Sequence, residues 1–436
     1  MPAVPPPRAL PPRPASADGL ARAARPGTVH HLRGAGPDRG KRHIGPLDGL
    51  RGLAVAAVVF FHAGHFDGGF LGVDLFFVLS GFLITGLLLK EHGAHGRVDL
   101  VAFWGRRMRR LLPALGVTVA VSLLLVWAFG TVTMVRSALD DAPWVIADVA
   151  NWHFIADQVG YWEAGETRVF SHLWSIAVEE QFYVLWPVIL MLLLRVRGRR
   201  AKSMHGRVAL AAAMGAVASL VLMIVLADPV DSTRVYEGTD TRAFSLLLGC
   251  LMATAPATRL LARLGDRAAC WCAPALVCAL GAYWVLADGQ NSPSLFQGGL
   301  FLHALGAALL IGFLAQAPDS PVGRLLGCSV LRRLGALSYS LYLWHWPVFV
   351  LLNEERLGMT GWRRTAVIMA VSLGAALVSM YAVENPFRFR ARWAHGRRGA
   401  LALVVGVGLL FALWAAIPMP VLGEGAVDLT RLSAGR

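Results

Sequence analysis

Several ionisable side chains stand inside runs of sequence apolar enough to cross a membrane. They are Arg51 and His62 in "LRGLAVAAVVFFHAGHF", Asp74 in "GGFLGVDLFFVLSGFLITGLLL" and Glu179 in "SHLWSIAVEEQFYVLWP". Hydrocarbon makes each of them costly, so such groups usually face a cavity, a partner or a transport path. Arg51 and His62 are eleven residues apart. At about 100° per residue this is three turns plus about 20°, so both fall on one helical stripe. At about 1.5 Å per residue from Leu47, Arg51 lies about 6 Å along the helix and His62 about 22 Å. An arginine near a helix end can snorkel to headgroups, and a histidine can bond a neighbouring carbonyl. A deep histidine on the arginine's own face favours a functional pathway instead. Neutral imidazole in that position suits a general base.

Other side chains can serve the same chemistry. Asp74 begins the second apolar run after a short loop, which places it near the membrane level of His62. There it either orients the histidine or is solvated at a helix end. Glu179 falls on one helical face with His172, Ser175, Tyr183 and Trp186, while Glu180 points elsewhere. Of the two glutamates, Glu179 is the one expected to line a polar cavity. In "FWGRRMRRLLP" the pairs Arg106/Arg109 and Arg107/Arg110 are three residues apart and make a cationic patch. Such a patch reads either phosphate, through the guanidinium fork, or anionic lipid headgroups. "LSYSLYLWHWPVF" puts Ser338, Tyr342 and His345 on one face ahead of a kink at Pro347. That stripe suits either an interfacial aromatic belt or contact with carbohydrate rings. "STRVYEGTDTRAFSLLLG" gathers Arg234, Tyr236, Asp240 and Arg242 at a helix entry, where capping and a local Asp–Arg pair account for much of the pattern.

The elements that must position these groups are membrane helices. The 436 residues are 56% hydrophobic and 16% charged, with a mean hydropathy of +0.56, well outside soluble-domain composition. The apolar runs at 47–65, 70–89, 112–130, 174–194, 208–227, 241–256, 269–287, 298–316, 334–352, 365–383 and 399–418 are each near the roughly 20 residues a span needs. The fold class is therefore all-α: a polytopic membrane bundle of about ten core helices and an eleventh. Residues 98–112 carry too many arginines to span and read as an interfacial segment. The stretch 131–173 reads as a long loop, partly re-entrant over a cavity. The net charge of +14 would point to nucleic acid in a soluble protein. Here 31 of the 41 Lys and Arg fall in alternate connecting segments, all on one side of the membrane, as in cytoplasmic loops, so nucleic-acid binding is excluded. The bias places the N-terminus in the cytoplasm. Five cysteines match no zinc or CxxC spacing, and no metal site is expected.

Taken in order, "LDGLRGLAVAAVVFFHAGHF", "GGFLGVDLFFVLSGFLIT", "FWGRRMRRLLPAL", "LWSIAVEEQFYVLWP", "GTDTRAFSLLLG", "LSYSLYLWHWPV" and "VENPFR" resemble the acyltransferase-3 family of integral membrane enzymes. The resemblance runs over roughly residues 45–390. It divides the chain into a disordered Pro/Arg-rich cytoplasmic tail (1–45), a transmembrane acyltransferase domain (46–390), an additional helix (391–418) and a short extracytoplasmic tail (419–436). It implies transfer of an acyl group from acyl-CoA, acetyl-CoA first, to a hydroxyl, with no bound cofactor. It also implies residue roles: His62 as the catalytic histidine, Arg51 as its motif partner, Arg107 and Arg110 at the Arg-x-x-Arg positions and Glu179 at the glutamate motif. Together with the reading of the residues, this makes His62, Glu179 and Asp74 the expected catalytic set, Arg51, Arg107 and Arg110 the donor site, and Tyr183, Tyr342 and His345 the acceptor site. Some members carry a C-terminal hydrolase-like domain after an eleventh helix. With a tail ending at Arg436 that domain is expected to be missing here, so a separate extracytoplasmic enzyme could complete transfer.

The acceptor expected is a cell-surface polysaccharide or glycolipid, with a small secondary metabolite such as a macrolide sugar as the alternative. A proton-coupled transporter would use the same buried His, Glu and Asp as a relay, but it predicts repeated halves, and none is visible. The expected location is the plasma membrane.

Overall fold

The structure, a computed structural model, describes residues 44–158, 162, 167–195, 201–228, 230–289, 292–391 and 396–420. Residues 1–43 of the expected N-terminal tail and 421–436 of the expected C-terminal tail lie outside them. The regular structure is helical throughout, with no strand among the described residues.

Helix α1 (Gly45–His62) leads through a turn at Asp67–Leu71 into α2 (Gly72–His95) and α3 (Leu100–Phe129). Local chemistry sets the α2–α3 corner. Gly96, at φ +67°, ends α2 in the left-handed conformation that favours glycine. Three residues on, the Asp99 carboxylate accepts from the Ala102 N–H and caps α3. A helical hairpin follows, α4 (Val132–Ile146) and α5 (Ala150–Ala156), then α6 (Trp174–Arg195) and α7 (Ala201–Leu226). Next come the short α8 (Thr233–Glu237), α9 (Thr239–Met252), α10 (Ala255–Arg263), α11 (Gly265–Leu286) and α12 (Gly299–Gln316). The chain continues through α13 (Pro321–Leu326), α14 (Ser329–Leu351), α15 (Glu354–Leu357), α16 (Gly361–Val378) and α17 (Gly396–Ala416).

Every apolar run expected to span is helical. Among the described residues seven helices are long and apolar enough to cross a membrane, and an eighth counts if the pair α8–α9 and α10, bent by 69°, is one span. The helices α1 and α14, which carry His62 and His345, fall outside that set, as does α11. The architecture is a polytopic helical bundle.

Two expectations are corrected. Residues 98–112 are not a separate interfacial segment, because α3 runs unbroken from Leu100 through Pro113 to Phe129. At about 1.5 Å per residue its 30 residues reach about 45 Å, long enough to carry the arginines beyond its apolar part. The stretch 131–173 is not a loop but chiefly the α4–α5 hairpin. Its turn docks where Gln181 Nε2 donates to the Asp148 carbonyl at 3.0 Å.

Backbone contact is closest where glycines meet. A Cβ on Gly52 would sit 2.3 Å from the Leu331 carbonyl, and one on Gly335 would sit 1.8 Å from that of Asp48, so α1 and α14 touch backbone to backbone. Gly81 and Gly249 play the same part between α2 and α9. Without a hydrophobic drive between helices in lipid, small residues of this kind permit the close packing that holds them.

Prolines supply a second device. Proline cannot donate to the carbonyl four residues earlier, and lipid offers no water to replace the lost bond. Pro143 frees the Leu139 carbonyl, which accepts from Trp414 Nε1 at 2.8 Å and ties α17 to α4. Pro187 frees that of Tyr183, which accepts from Trp104 Nε1 at 2.9 Å and ties α3 to α6. Pro347 frees that of Leu343, 3.2 Å from His172 Nε2. Each orphaned carbonyl thus becomes a docking point for another segment.

Candidate functional site

α1, α2, α3, α6 and α14 line an open cavity with about 720 Å³ of empty space, its open mouth included. Arg51, Arg107, Arg110, Glu179 and Tyr183 line one part, and Ser175, Ser338 and Tyr342 another. Three guanidinium groups therefore share the space with Glu179, a balance that draws anions inward. Ser80 donates to Glu179 Oε1 at 2.7 Å, and the Tyr183 hydroxyl donates to Oε2 at 3.3 Å. Arg107 stacks over the Tyr183 ring, 4.8 Å from its centre. The carboxylate is thereby held by two hydroxyls, and Tyr183 belongs with the arginines rather than with His62.

The cavity wall includes Tyr342 and, among the described residues, not His62. The Tyr342 hydroxyl lies 2.5 Å from Ser175 Oγ and donates to the His172 carbonyl at 2.9 Å. One helical turn further, the Tyr342 carbonyl accepts from His345 Nδ1 at 2.6 Å. His345 Nε2 then stands 3.1 Å from His62 Nδ1. The His62 ring also meets the Trp346 ring at 4.6 Å, and His172 meets His345 edge to face at 5.5 Å. Trp346 Nε1 donates to the Arg168 carbonyl at 2.9 Å, so the segment around 168–172 and the C-terminal part of α14 are pinned together beside His62.

Asp74 has other partners. Its carboxylate accepts from Arg242 Nη2 at 2.8 Å and from Ser245 at 2.7 Å, in a pair with no exposure on either side chain. The Arg242 guanidinium also lies 4.9 Å from the centre of the Tyr236 ring. Asp74 therefore locks α2 to α9, and the ring partner of His62 is His345. The local pair at the entry to α9 is Arg234 with Asp240, at 2.7 and 2.9 Å.

Away from the cavity, Asp141, His153 and Asp157 gather their ligand atoms within 4.8 Å. Arg168 already supplies the cation there, with Nη2 2.9 Å from Asp141 Oδ1 and 2.5 Å from Asp157 Oδ2. The cluster is a clamp on the α4–α5 hairpin.

Of the expected residues, the structure brings Arg51, Arg107, Arg110, Glu179, Tyr183 and Tyr342 to one cavity and His345 to His62. It sets Asp74 apart. Sequence reasoning missed Ser80 as the carboxylate's partner; its only signal is a hydroxyl inside "VLSGFL". It also missed the union of Arg242 with Asp74, since 168 residues separate them.

The model of the acyltransferase domain family matches residues 44–383. The chain is 36% identical over 366 residues to the putative peptidoglycan O-acetyltransferase YrhL of Bacillus subtilis, covering 82% of this chain and 57% of that protein. It is 33% identical over 356 residues to the peptidoglycan O-acetyltransferase OatA of Listeria monocytogenes, covering 80% and 56%. Against the O-acetyltransferase OatA of Staphylococcus aureus the figures are 36% over 323 residues, 72% and 52%. The chain spans about half the length of these curated relatives. No solved structure matches it.

Proposed function

This chain belongs to the acyltransferase domain family, and on that premise we propose that it is a membrane O-acyltransferase. It moves an acetyl group from acetyl-CoA to a hydroxyl of a cell-wall polysaccharide. The observation that carries the reading is an adjacency. A cavity with Arg51, Arg107 and Arg110 in its wall also has Tyr342 there, and the Tyr342 carbonyl accepts from His345, which meets His62. The acceptor class follows the relatives, two of which are named for peptidoglycan.

In this reading the arginines hold the donor's phosphates by charge-assisted hydrogen bonds. The thin arm of the donor runs past Tyr183 towards Ser175 and Tyr342. His62 takes the proton of the acceptor hydroxyl, and the alkoxide attacks the thioester carbon. The C–S bond breaks, and the thiolate leaves with the proton carried by His62. The developing oxyanion needs a hydrogen-bond donor, and the candidate at that end of the cavity is the Ser175 hydroxyl, turning from the His172 carbonyl 3.2 Å away. The charge bias of the sequence puts the arginine end of α1 at the cytoplasm, where the donor is made, and the histidine end at the opposite face.

The test is mass spectrometry of base-labile acetyl groups on cell-wall glycans and in small-molecule extracts from a deletion strain. Wild type restores the glycan acetylation, whereas His62→Ala at equal membrane level falls by at least about 10²-fold, the usual worth of a general base. Glycan acetylation by His62→Ala at the wild-type rate refutes the base. Loss of acetyl groups from small-molecule extracts alone would move the acceptor to a secondary metabolite.

A further inference from the structure

We infer that His345 is the positioning residue of His62, receiving the His62 Nδ1 proton in a hydrogen bond and setting the ring that works on the acceptor. The inference rests on the reading of His62 as the base and adds the group that orients it.

The direction of the bond follows from the carbonyl oxygens around the two rings, which can only accept. His345 Nδ1 lies 2.6 Å from the Tyr342 carbonyl, so it carries a proton, and in the neutral ring Nε2 is then an acceptor. His62 Nδ1 lies 3.0 Å from the Val58 carbonyl and 3.1 Å from His345 Nε2. A proton on His62 Nδ1 satisfies both contacts. The reverse arrangement would set two lone pairs against each other at Val58 and would require His345 to be doubly protonated. With Nδ1 protonated, Nε2 of neutral His62 is the basic nitrogen.

The Val58 carbonyl alone is a poor guide for the ring, because the backbone ladder of α1 also uses it. His345 offers an acceptor of its own, and that acceptor is fixed from two directions. Its Nδ1 is tied to Tyr342 one turn back. Its ring is braced edge-on by His172 at 5.5 Å. His172 in turn lies with Nε2 3.2 Å from the Leu343 carbonyl, the one that Pro347 leaves without a helical donor. The arrangement parallels the third member of a nucleophile–base–orienter set, with a neutral ring in place of a carboxylate. When His62 takes the acceptor's proton, its Nδ1–H still points at the lone pair of His345, which stabilises the imidazolium.

The experiment uses the full chain in lipid nanodiscs with histidine ¹⁵N-labelled at the ring, His62 being assigned by its loss in His62→Asn. Two variants are compared, His345→Gln, whose amide oxygen can replace the acceptor, and His345→Phe, which keeps a ring and removes it. In wild type and His345→Gln the His62 signal is that of the Nδ1–H ring, and in His345→Phe it becomes a mixture of the two tautomers. With acetyl-CoA as the donor probe, His345→Phe loses about 10²-fold in kcat while KM stays within about twofold. His345→Gln recovers at least tenfold of that loss. A wild-type His62 protonated on Nε2 overturns the proposal, and so does a His345→Phe with wild-type kcat. Equal loss in both variants with a raised KM also overturns it, since His345 would then be touching substrate. The ring spectrum decides the bond without turnover, so full activity of His62→Asn would sink the base reading while leaving the hydrogen bond separately tested.

Discussion

His62 and Arg51 share a stripe of α1, yet they serve different places. Arg51 looks into the cavity with Arg107 and Arg110, and His62 meets His345 near the other end of the helix. The separation makes their substitutions distinguishable. Arg107→Ala and Arg110→Ala are expected to raise KM for acetyl-CoA about tenfold each with kcat little changed, as loss of uniform binding requires. The loss of one charge-assisted hydrogen bond, about 1.5–3 kcal/mol, is enough for that change. Steady-state kinetics on purified protein decides it. Unchanged KM with lower membrane content would assign the two arginines to lipid headgroups instead. Glu179 is held by Ser80 and Tyr183, and its proposed part is to balance the charge of that wall.

At the scale of elements, the site depends on helices that touch along their backbones. α1 brings His62 and α14 brings His345, and the glycines at 52 and 335 set the distance between them. Gly52→Leu is therefore expected to lower Tm by several degrees and to separate the two histidines, at a cost of about 1–3 kcal/mol or more for overpacking. Gly86→Leu in α2, where a Cβ meets nothing within 4 Å, is the matched control and leaves Tm near wild type. Equal shifts in the two variants would mean that the close contact is not what holds the pair. The prolines act at the same scale. By withholding one N–H each, Pro187 and Pro347 turn α6 and α14 into acceptors for Trp104 and His172.

For the whole molecule, the buried pair of Asp74 and Arg242 joins α2 to α9. Removing one partner of such a pair strands a charge and typically costs about 3–5 kcal/mol. Arg242→Met is thus expected to accumulate poorly and to melt early. The double variant Asp74→Leu/Arg242→Met recovers much of the loss, since a well-packed apolar replacement leaves no charge behind. A double variant as unstable as Arg242→Met would refute the lock. The proposed orientation is tested by placing a cysteine at Arg97 or at Asp231 in a chain whose own five cysteines are replaced. Impermeant maleimide is expected to label position 231 in intact cells and position 97 only after permeabilisation. The opposite pattern would reverse the orientation.

Much of this was legible along the chain because it depends on local properties. Apolar runs of the right length dictate helices in a membrane, since no other open structure satisfies its own backbone there. Helical periodicity alone put Arg51 with His62 on one stripe and Tyr342 near His345 on another. The patterns misread were those in which a helix continues through an interruption. Residues 98–112 read as an interfacial segment and are chiefly the early part of α3, because proline removes one bond but does not stop a helix whose remaining bonds are made. Partner choice was decided by tertiary structure. On sequence grounds Asp74 lies near His62 and His345 belongs to a stripe suited to the acceptor, and only the packing of α9 against α2 and of α14 against α1 gave Asp74 to Arg242 and His345 to His62. A hydrogen bond needs atoms within about 3 Å, and spacing along one helix cannot say which other helix lies across from it.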